Sequence, residues 1–592
     1  MYAMDYWKSG VAKLLSELLA SEVPPEQIVQ PPDVKMGDLA FPCFALAKSQ
    51  GKPPNQIATE LSEQAKSLIG KWAEHDIEKI EAAGPYVNIT LKTADAVYRV
   101  VRDIQHMGNA YGEVNLGHGK QFAVEYAQPN THKEIHVGHL RNLIAGAAVC
   151  RVLEGANWEV IPMSYHGDMG AHVAKCLWQL ARDAGFGTDL SMEDAQSILE
   201  AIPKEQQNGK FLGETYTKAS LLLEEQEDLK TDVSLVQQKI EARDVAWLRL
   251  WQETRRWSLQ EISRIFQELG VHVKRQYLES EVAERGQQMV DEMLASGVAK
   301  ESEGAIVVDL EEKDLGIFLI RKSDGTSLYA TKDIALAELK LKEFPETARS
   351  LILVDQRQSL YFKQLFETLR LLHVTPVPEF LGHEIVTLKE GAMSSRKGNI
   401  ITYQHFRDEV IGYAREEIMK RHEDWSEGQV TDTAWKIGMA GMKFSMLKID
   451  HDKIFTFVME EALAFEGATG PYCQYAITRF NSILKKAADA GVVMKTGEEI
   501  QATFEHPSEK QLAMALAVFP DKSRLAAEAL RPSVIAHWCI ETAQKMNDLY
   551  RDVPILESEE ASKRARLELI ATSIITMERA LGLLGIAVPD KM

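Results

Sequence analysis

The chain has 592 residues, too many for one hydrophobic core, so three or four domains are expected. Its 45% hydrophobic and 26% charged composition is that of an ordinary globular protein, and it contains no run of eighteen or more apolar residues that could span a membrane. A net charge of −20, from 67 basic and 87 acidic residues, argues against a general nucleic-acid coat; such acidity mainly keeps a large protein soluble and leaves room for a local basic face.

The start, Met1-Tyr2-Ala3-Met4-Asp5-Tyr6-Trp7-Lys8, lacks a basic stretch before an apolar one, so no secretory signal is expected. Trp7, Val11, Leu14, Leu15, Leu18 and Leu19 fall at helical spacing, and Tyr86 to Leu91 alternates like a strand. Residues 1–112 therefore form a small α+β domain, bounded by the glycines at 108, 112, 117 and 119. A strand-like run, Gln121 to Tyr126, follows. Then come a helical run, Leu140 to Leu153, a turn at Gly155-Ala156-Asn157, and a second strand, Trp158 to Ser164. That alternation predicts an α/β domain with a doubly wound parallel sheet over 113–430. Charged helical sequence interrupts it at about 186–256. Strand signals return at Ala305–Asp309, Ile317–Arg321 and Ser350–Val354, with a hairpin turn expected at Ser323-Asp324-Gly325. Beyond about 430 strand signals stop. Leu567, Ile570, Ile574, Met577, Leu581 and Leu584 mark an amphipathic helix, so 431–592 reads as an all-α bundle.

Five scattered cysteines (Cys43, Cys150, Cys176, Cys473, Cys539), with no Cys-x-x-Cys spacing, argue against structural zinc and for a reducing, cytoplasmic setting. Two motifs carry the chemistry. His136-Val137-Gly138-His139 lies where a strand turns into a helix, a place where unpaired N–H groups and the helix dipole favour a nucleotide triphosphate. About 260 residues later, Met393-Ser394-Ser395-Arg396-Lys397-Gly398 forms a small, polar, basic loop.

The run from Val124 to Asn142, with Glu125, the pair Pro129-Asn130, Lys133 and the trailing Leu140-Arg141, resembles the arginyl-tRNA synthetases, a class I family. The resemblance covers nearly the whole chain: Gly37-Asp38, Ala83 to Asn88, Gly167-Asp168-Met169-Gly170, Ser327 to Asp333, Asp355 to Phe362, and Phe465 to Ala476. It implies a class I Rossmann-like catalytic domain between an N-terminal domain that contacts the tRNA D-loop and a helical anticodon-binding domain. It also implies L-arginine, ATP with Mg2+ and tRNA(Arg) as substrates, adenylate formation followed by transfer to the terminal adenosine, and a monomeric enzyme. Activation by such enzymes usually needs bound tRNA.

Carried over residue by residue, the resemblance places His136 and His139 on phosphate oxygens. Gly138 would admit the adenine and ribose, with Gly167, Asp168 and Met393 also at ATP and Ser394 and Ser395 in the second loop. Ala392 and Ser395 stand where class I loops usually carry lysines, so the phosphate charge is assigned to Lys133, with Lys397 auxiliary. Asp333 and Glu279 would face the guanidinium beside Tyr329. Asn130, His136 and Gln358 would hold the α-amino and carboxylate end, and Glu125 would support the pocket. Tyr86, Asn88, Tyr472, Tyr475, Arg479 and Met592 would meet tRNA, and no protein metal site is implied. On residue type alone, Lys397 is a solvated loop lysine and Asp333 a first-turn helix charge behind a Thr331 cap.

Other class I synthetases fit less well. Cysteinyl or methionyl enzymes would lack a reason for the Asp333/Glu279 pair, and the interruption at 186–256 is too short for an editing domain. A catalytically silent paralogue that binds tRNA or arginine is the alternative of another class.

Overall fold

The computed structural model describes residues 2–31, 33–323, 328–388, 401–492 and 504–592. Met393, Ser394, Ser395 and Lys397, and the expected turn residues Asp324 and Gly325, lie outside the described residues.

The N-terminal region packs the helix Ala3–Leu19 and the helix Pro54–Ala65 against an antiparallel sheet of β1 (Leu39–Pro42), β2 (Ile77–Ala83) and β3 (Tyr86–Leu91), ordered β1-β3-β2. The middle of the chain supplies β4 (Gln121–Glu125), β5 (Glu159–His166) and β6 (Arg275–Leu278). Next come β7 (Lys300–Ser302), β8 (Ala305–Asp309) and β9 (Ile317–Arg321), followed by β10 (Thr347–Asp355) and β11 (Glu379–His383). Five of these strands make one parallel sheet, ordered β11-β10-β4-β5-β6.

Alternation along the strands divides two cores. Phe122 and Val124 of β4, with Leu351 and Leu353 of β10, face the helix Val137–Gly155, while Ala123, Ile352 and Val354 face the helices Glu279–Ser296, Tyr329–Glu343 and Ser359–Leu371. Burial on both faces explains why β4 and β10 read as continuous apolar runs. The helix Val137–Gly155 is buried nearly all round, and its polar residues are satisfied by distant backbone. Asn142 donates to Leu353 O (2.7 Å) and accepts from Ala127 N–H (2.7 Å), and Arg141 donates to Asp450 O (2.7 Å) and Glu384 O (3.2 Å).

The sequence expectations differ from the fold in four places. β8 and β9 do not extend the parallel sheet but form a separate antiparallel one with β7; β9 alternates exposed and buried residues, as a one-sided sheet does. The helical interruption is wider than 186–256: five α-helices from Ala171 to Leu269 surround their own core of Trp178, Leu212, Trp247 and Trp257. Strand structure does occur beyond 430, where β12 (Val386–Leu388) pairs in parallel with β13 (Phe455–Phe457), too short to show alternation. Finally, the boundary placed after 430 falls inside the helix Glu427–Leu447, whose start is set by a Ser426/Gln429 capping box and not by composition.

The helices of the C-terminal region, among them Gly470–Asp489, Ser533–Asp552 and Glu560–Leu583, return to the N-terminal region. Lys510 pairs with Asp38 (2.7 Å), Lys8 with Asp521 (2.6 Å), and Tyr111 Oη donates to Leu516 O (3.1 Å). Among the described residues no helix is long and apolar enough to cross a membrane. All five cysteines are buried and unbridged.

Candidate active site

The chain runs from β4 outward to β5 and β6, then returns to β10 and β11 on the other side. The crevice beyond the carboxyl ends of β4 and β10 is therefore the topological switch point, where open α/β sheets bind ligands. A cavity of about 860 Å³ opens there, lined among others by Glu125, Asn130, His136, Gly138, His139, Gly167, Glu279, Tyr329, Asp333 and Gln358.

At its floor the two motif histidines cap the helix Val137–Gly155. His136 Nδ1 accepts from Gly138 N–H (3.1 Å), and His139 Nδ1 accepts from His136 N–H (3.2 Å). Val137 N–H goes to Ile401 O (3.1 Å) and His139 N–H to His136 O (2.8 Å). The expectation that free N–H groups face the ligand is thus corrected, because the His136 cap and Ile401 O already satisfy them. Since both Nδ1 atoms accept, both imidazoles are Nε2–H tautomers, and each keeps one donor to offer. Burial, then the nearby Lys133 charge, brings His136 down to about 4; burial and the adjoining His136 hold His139 well below the usual histidine range. The pair is neutral near pH 7. Gly138 is needed first for this cap, since a Cβ there would sit 2.8 Å from the His136 ring.

The stems of the second motif's loop are tied to the first motif. His136 bridges Thr402, Tyr403 N–H donates to Ile135 O (2.7 Å), and Ile385, Val386 and Thr387 line the cavity wall.

On the opposite wall the carboxylates separate by partner. Glu125 pairs with Lys340, Glu279 Oε2 with Lys332 Nζ (2.5 Å), and Asp355 with Arg357 (2.6 Å). Asp333 has no cationic partner within ion-pair distance among the described residues; it accepts from Tyr361 Oη. It is not a first-turn charge behind a Thr331 cap: the helix starts at Tyr329, and the Thr331 hydroxyl donates to Ile320 O. Burial pushes Asp333 up to about 7 against the Tyr361 hydrogen bond, with Glu279 adding to the rise. Burial raises Glu279 too, against the charge of Lys332.

Asp168 does not reach the cavity. Its carboxylate is fully buried, accepting from Ser280 N–H (2.9 Å), Ser280 Oγ (2.6 Å) and Arg255 Nη1 (2.9 Å). Its assignment to ATP is corrected: it fastens the start of the helix that carries Glu279. Lys133 is also absent from the lining, its ammonium lying 4.7 Å from the centre of the Tyr216 ring. Gly167 is required by close approach, since a Cβ there would sit 2.4 Å from Asn130 Oδ1. Tyr329 is 68% exposed at the cavity rim, and Gln358 is exposed on the turn after β10.

Among the polar lining residues, Tyr165 and Lys340 were not singled out from the sequence, and Tyr361 was placed only within a pocket segment without a role. Tyr165 Oη is buried without a hydrogen-bond partner. Burial raises this phenol well above its ordinary range, and the charges of Asp333 and Glu279 add to it. Alternation along β5 was the available signal.

Of the residues assigned to tRNA, Tyr86 packs edge-on against the exposed Phe44 (5.6 Å), but Asn88 is only 4% exposed and not free to read a base. Tyr472 Oη donates to Gln544 (3.1 Å); Arg479 lies over Tyr475 (4.4 Å) and Tyr550 (4.9 Å) and donates to Asn547 (3.0 Å). Met592 packs, half-buried, on the C-terminal core.

Comparison with known proteins matches three family models in order: the arginyl tRNA synthetase N terminal domain over 5–91, the catalytic domain of class I (R) tRNA synthetases over 101–459, and the DALR anticodon binding domain over 473–592. The arginine–tRNA ligase of Bdellovibrio bacteriovorus is 33% identical over 100% of this chain and 99% of its own length; that of Clostridium perfringens is 31% identical over 100% of both. The solved arginyl-tRNA synthetase of Thermus thermophilus superposes with a TM-score of 0.77 at 25% identity, covering 99% of each chain. The Plasmodium falciparum enzyme shares the fold (TM-score 0.72, 16% identity, 99% of this chain and 98% of that one). The chain belongs to the arginyl-tRNA synthetases, the class I arginine–tRNA ligases.

Proposed function

We propose that this cavity takes L-arginine and ATP side by side, with Asp333 as the principal acceptor for the guanidinium. The observation that carries this reading is the electrostatic balance of the wall: among the described residues, every lining carboxylate but Asp333 has a cation of its own. A guanidinium offers a fixed charge and five N–H donors, so it supplies the missing partner, with Glu279 and Tyr329 beside it. Asn130, Gln358 and His136 hold the amino and carboxylate end. Glu125 acts through Lys340 to keep the wall in place.

ATP lies against Gly138 and Gly167, with its phosphates toward the Nε2–H groups of His136 and His139. Magnesium enters with ATP as part of the substrate. The arginine carboxylate attacks the α-phosphorus and pyrophosphate leaves; the protein positions both and neutralises charge on phosphorus. Neutral imidazoles serve by hydrogen bonding, so the positive charge comes from Lys133, with Lys397, Met393, Ser394 and Ser395 brought by the second loop. Asp168 positions Glu279.

A terminal ribose hydroxyl of tRNA(Arg) then takes the arginyl group, with Tyr86, Tyr472, Tyr475, Arg479 and Met592 meeting tRNA. In this reading the enzyme is a cytoplasmic monomer that activates arginine only with tRNA bound, its N-terminal domain ending near residue 112. Buried, unbridged cysteines are in keeping with a reducing compartment.

ATP–pyrophosphate exchange with each amino acid, with and without tRNA(Arg), tests the reading. Exchange with arginine alone among the amino acids, and only when tRNA is present, is expected. Comparable exchange with lysine would overturn the pocket assignment.

A further inference from the structure

The loop that carries Asn130 and leads into the histidine pair is gripped from both sides by the helical insertion. On one side, His132 is fully buried against the helix Val245–Leu269. Its N–H donates to Ser258 Oγ (2.9 Å), its Nε2 meets Thr254 Oγ1 (2.8 Å) and its Nδ1 meets Thr131 Oγ1 (2.9 Å). On the other side the helix Gly209–Glu225 comes so close that a Cβ on Gly213 would lie 2.4 Å from Glu134 Cγ and 3.0 Å from Glu134 N. Lys133 stands between these two clamps.

Among the described residues Lys133 forms no ion pair. Its ammonium instead sits over the ring of Tyr216, 4.7 Å from the centre, on the same insertion helix; Lys175 lies 5.9 Å from the same ring. From this seat the Lys133 charge bears on His136, His139 and His172, so the ammonium is close to the imidazoles while held by the ring. Burial would raise the Tyr216 phenol, but the charges of Lys133 and Lys175 together with hydrogen bonding to Ser220 and Lys133 hold the group below its ordinary range.

We propose that Tyr216 is a positioning residue for adenylation, its ring face holding the Lys133 ammonium beside the two imidazoles where the phosphates of ATP arrive. A free lysine would spread over many rotamers, and the ring restricts it to those within reach of phosphate. The proposal rests on the reading of Lys133 as the phosphate cation.

The test is tRNA-dependent pyrophosphate exchange by the full-length protein carrying Tyr216→Leu, Tyr216→Phe, Lys133→Ala and the Lys133→Ala/Tyr216→Leu pair. Tyr216→Leu is expected to lower kcat roughly tenfold with the KM for arginine unchanged, as loss of one cation–π seat predicts. Tyr216→Phe, which keeps the ring face, is expected to restore most of the rate. In the Lys133→Ala background Tyr216→Leu is expected to add nothing, because the two residues act as one unit. Tyr216→Gln replaces the leucine variant if that fails to fold. A wild-type rate for Tyr216→Leu while Lys133→Ala is slow would overturn the role of Tyr216 alone, as would losses that add in the double variant. A wild-type rate for Lys133→Ala would overturn the lysine assignment beneath it.

Discussion

Replacing Asp333 with asparagine separates what this side chain does for arginine from what it costs the fold. Asparagine keeps the size and still accepts a hydrogen bond from Tyr361, so the helix Tyr329–Glu343 should stay in place. What disappears is the one lining carboxylate, among the described residues, without a cation of its own. Leaving a buried substrate charge unpaired costs about 3–5 kcal/mol, so kcat/KM for arginine should fall by roughly a hundred- to several-thousandfold. The stability effect has the opposite sign. Burial pushes Asp333 up to about 7 in the folded protein, whereas an unfolded aspartate titrates near about 4. Ionising a carboxyl whose folded value lies above its unfolded value costs stability. The penalty is therefore absent at low pH, grows as pH rises through that window, and is full above it. Asp333→Asn should melt above the wild type at about pH 8 and level with it at about pH 4. Thermal unfolding of the free protein and aminoacylation kinetics measure the two sides. A variant within a few-fold of wild type on arginine, or one less stable at about pH 8, would refute the reasoning.

The same carboxyl predicts that the KM for arginine falls as pH rises through about 7, because binding selects the ionised form; calorimetry in buffers of different ionisation enthalpy should detect proton release, and a pH-independent KM would count against it. Gly167→Ala would place a Cβ 2.4 Å from Asn130 Oδ1 on the backbone against which ATP lies, so the KM values for arginine and ATP should both rise at least several-fold; no change in either would refute the close-approach reading. Thr254→Val removes the partner of His132 Nε2 in a fully buried site, and should lower stability by about 1–3 kcal/mol in denaturant melts; a neutral result would mean the imidazole finds another partner.

The frame of this molecule was legible because it rests on local repetition. Phe122, Ala123 and Val124 are apolar in succession because β4 is covered on both faces, and the helix starting at the histidines follows at once, so strand, helix and strand could be read in order. β8 and β9 were found at their observed bounds, yet their sheet was not, since pairing depends on which strands meet and not on the pattern within one. β13 has only three residues, too few for any period.

The site divides along the same line. His136 and His139 share one helical turn, so their spacing announced a shared task, but their orientation depends on hydrogen bonds that residue type does not specify. A histidine can accept at Nδ1 as readily as it can donate, and here each accepts from backbone, which takes the helix N–H groups away from a ligand and leaves two Nε2–H donors in their place. Charge compensation is still less local. Lys332 and Lys340, one position before and seven positions beyond Asp333 on the same helix, both pair away from it, with Glu279 and Glu125 from other segments, so sequence proximity suggests a neutralised aspartate where the fold leaves an unpaired one. Asp168 shows the reverse case. A conspicuous acid in a glycine loop looks like a ligand-facing residue, but Ser280 and Arg255 already satisfy it. Whether an acidic side chain can select a cationic substrate is thus decided by which lysines and arginines reach it in three dimensions. Among the described lining residues the count leaves Asp333.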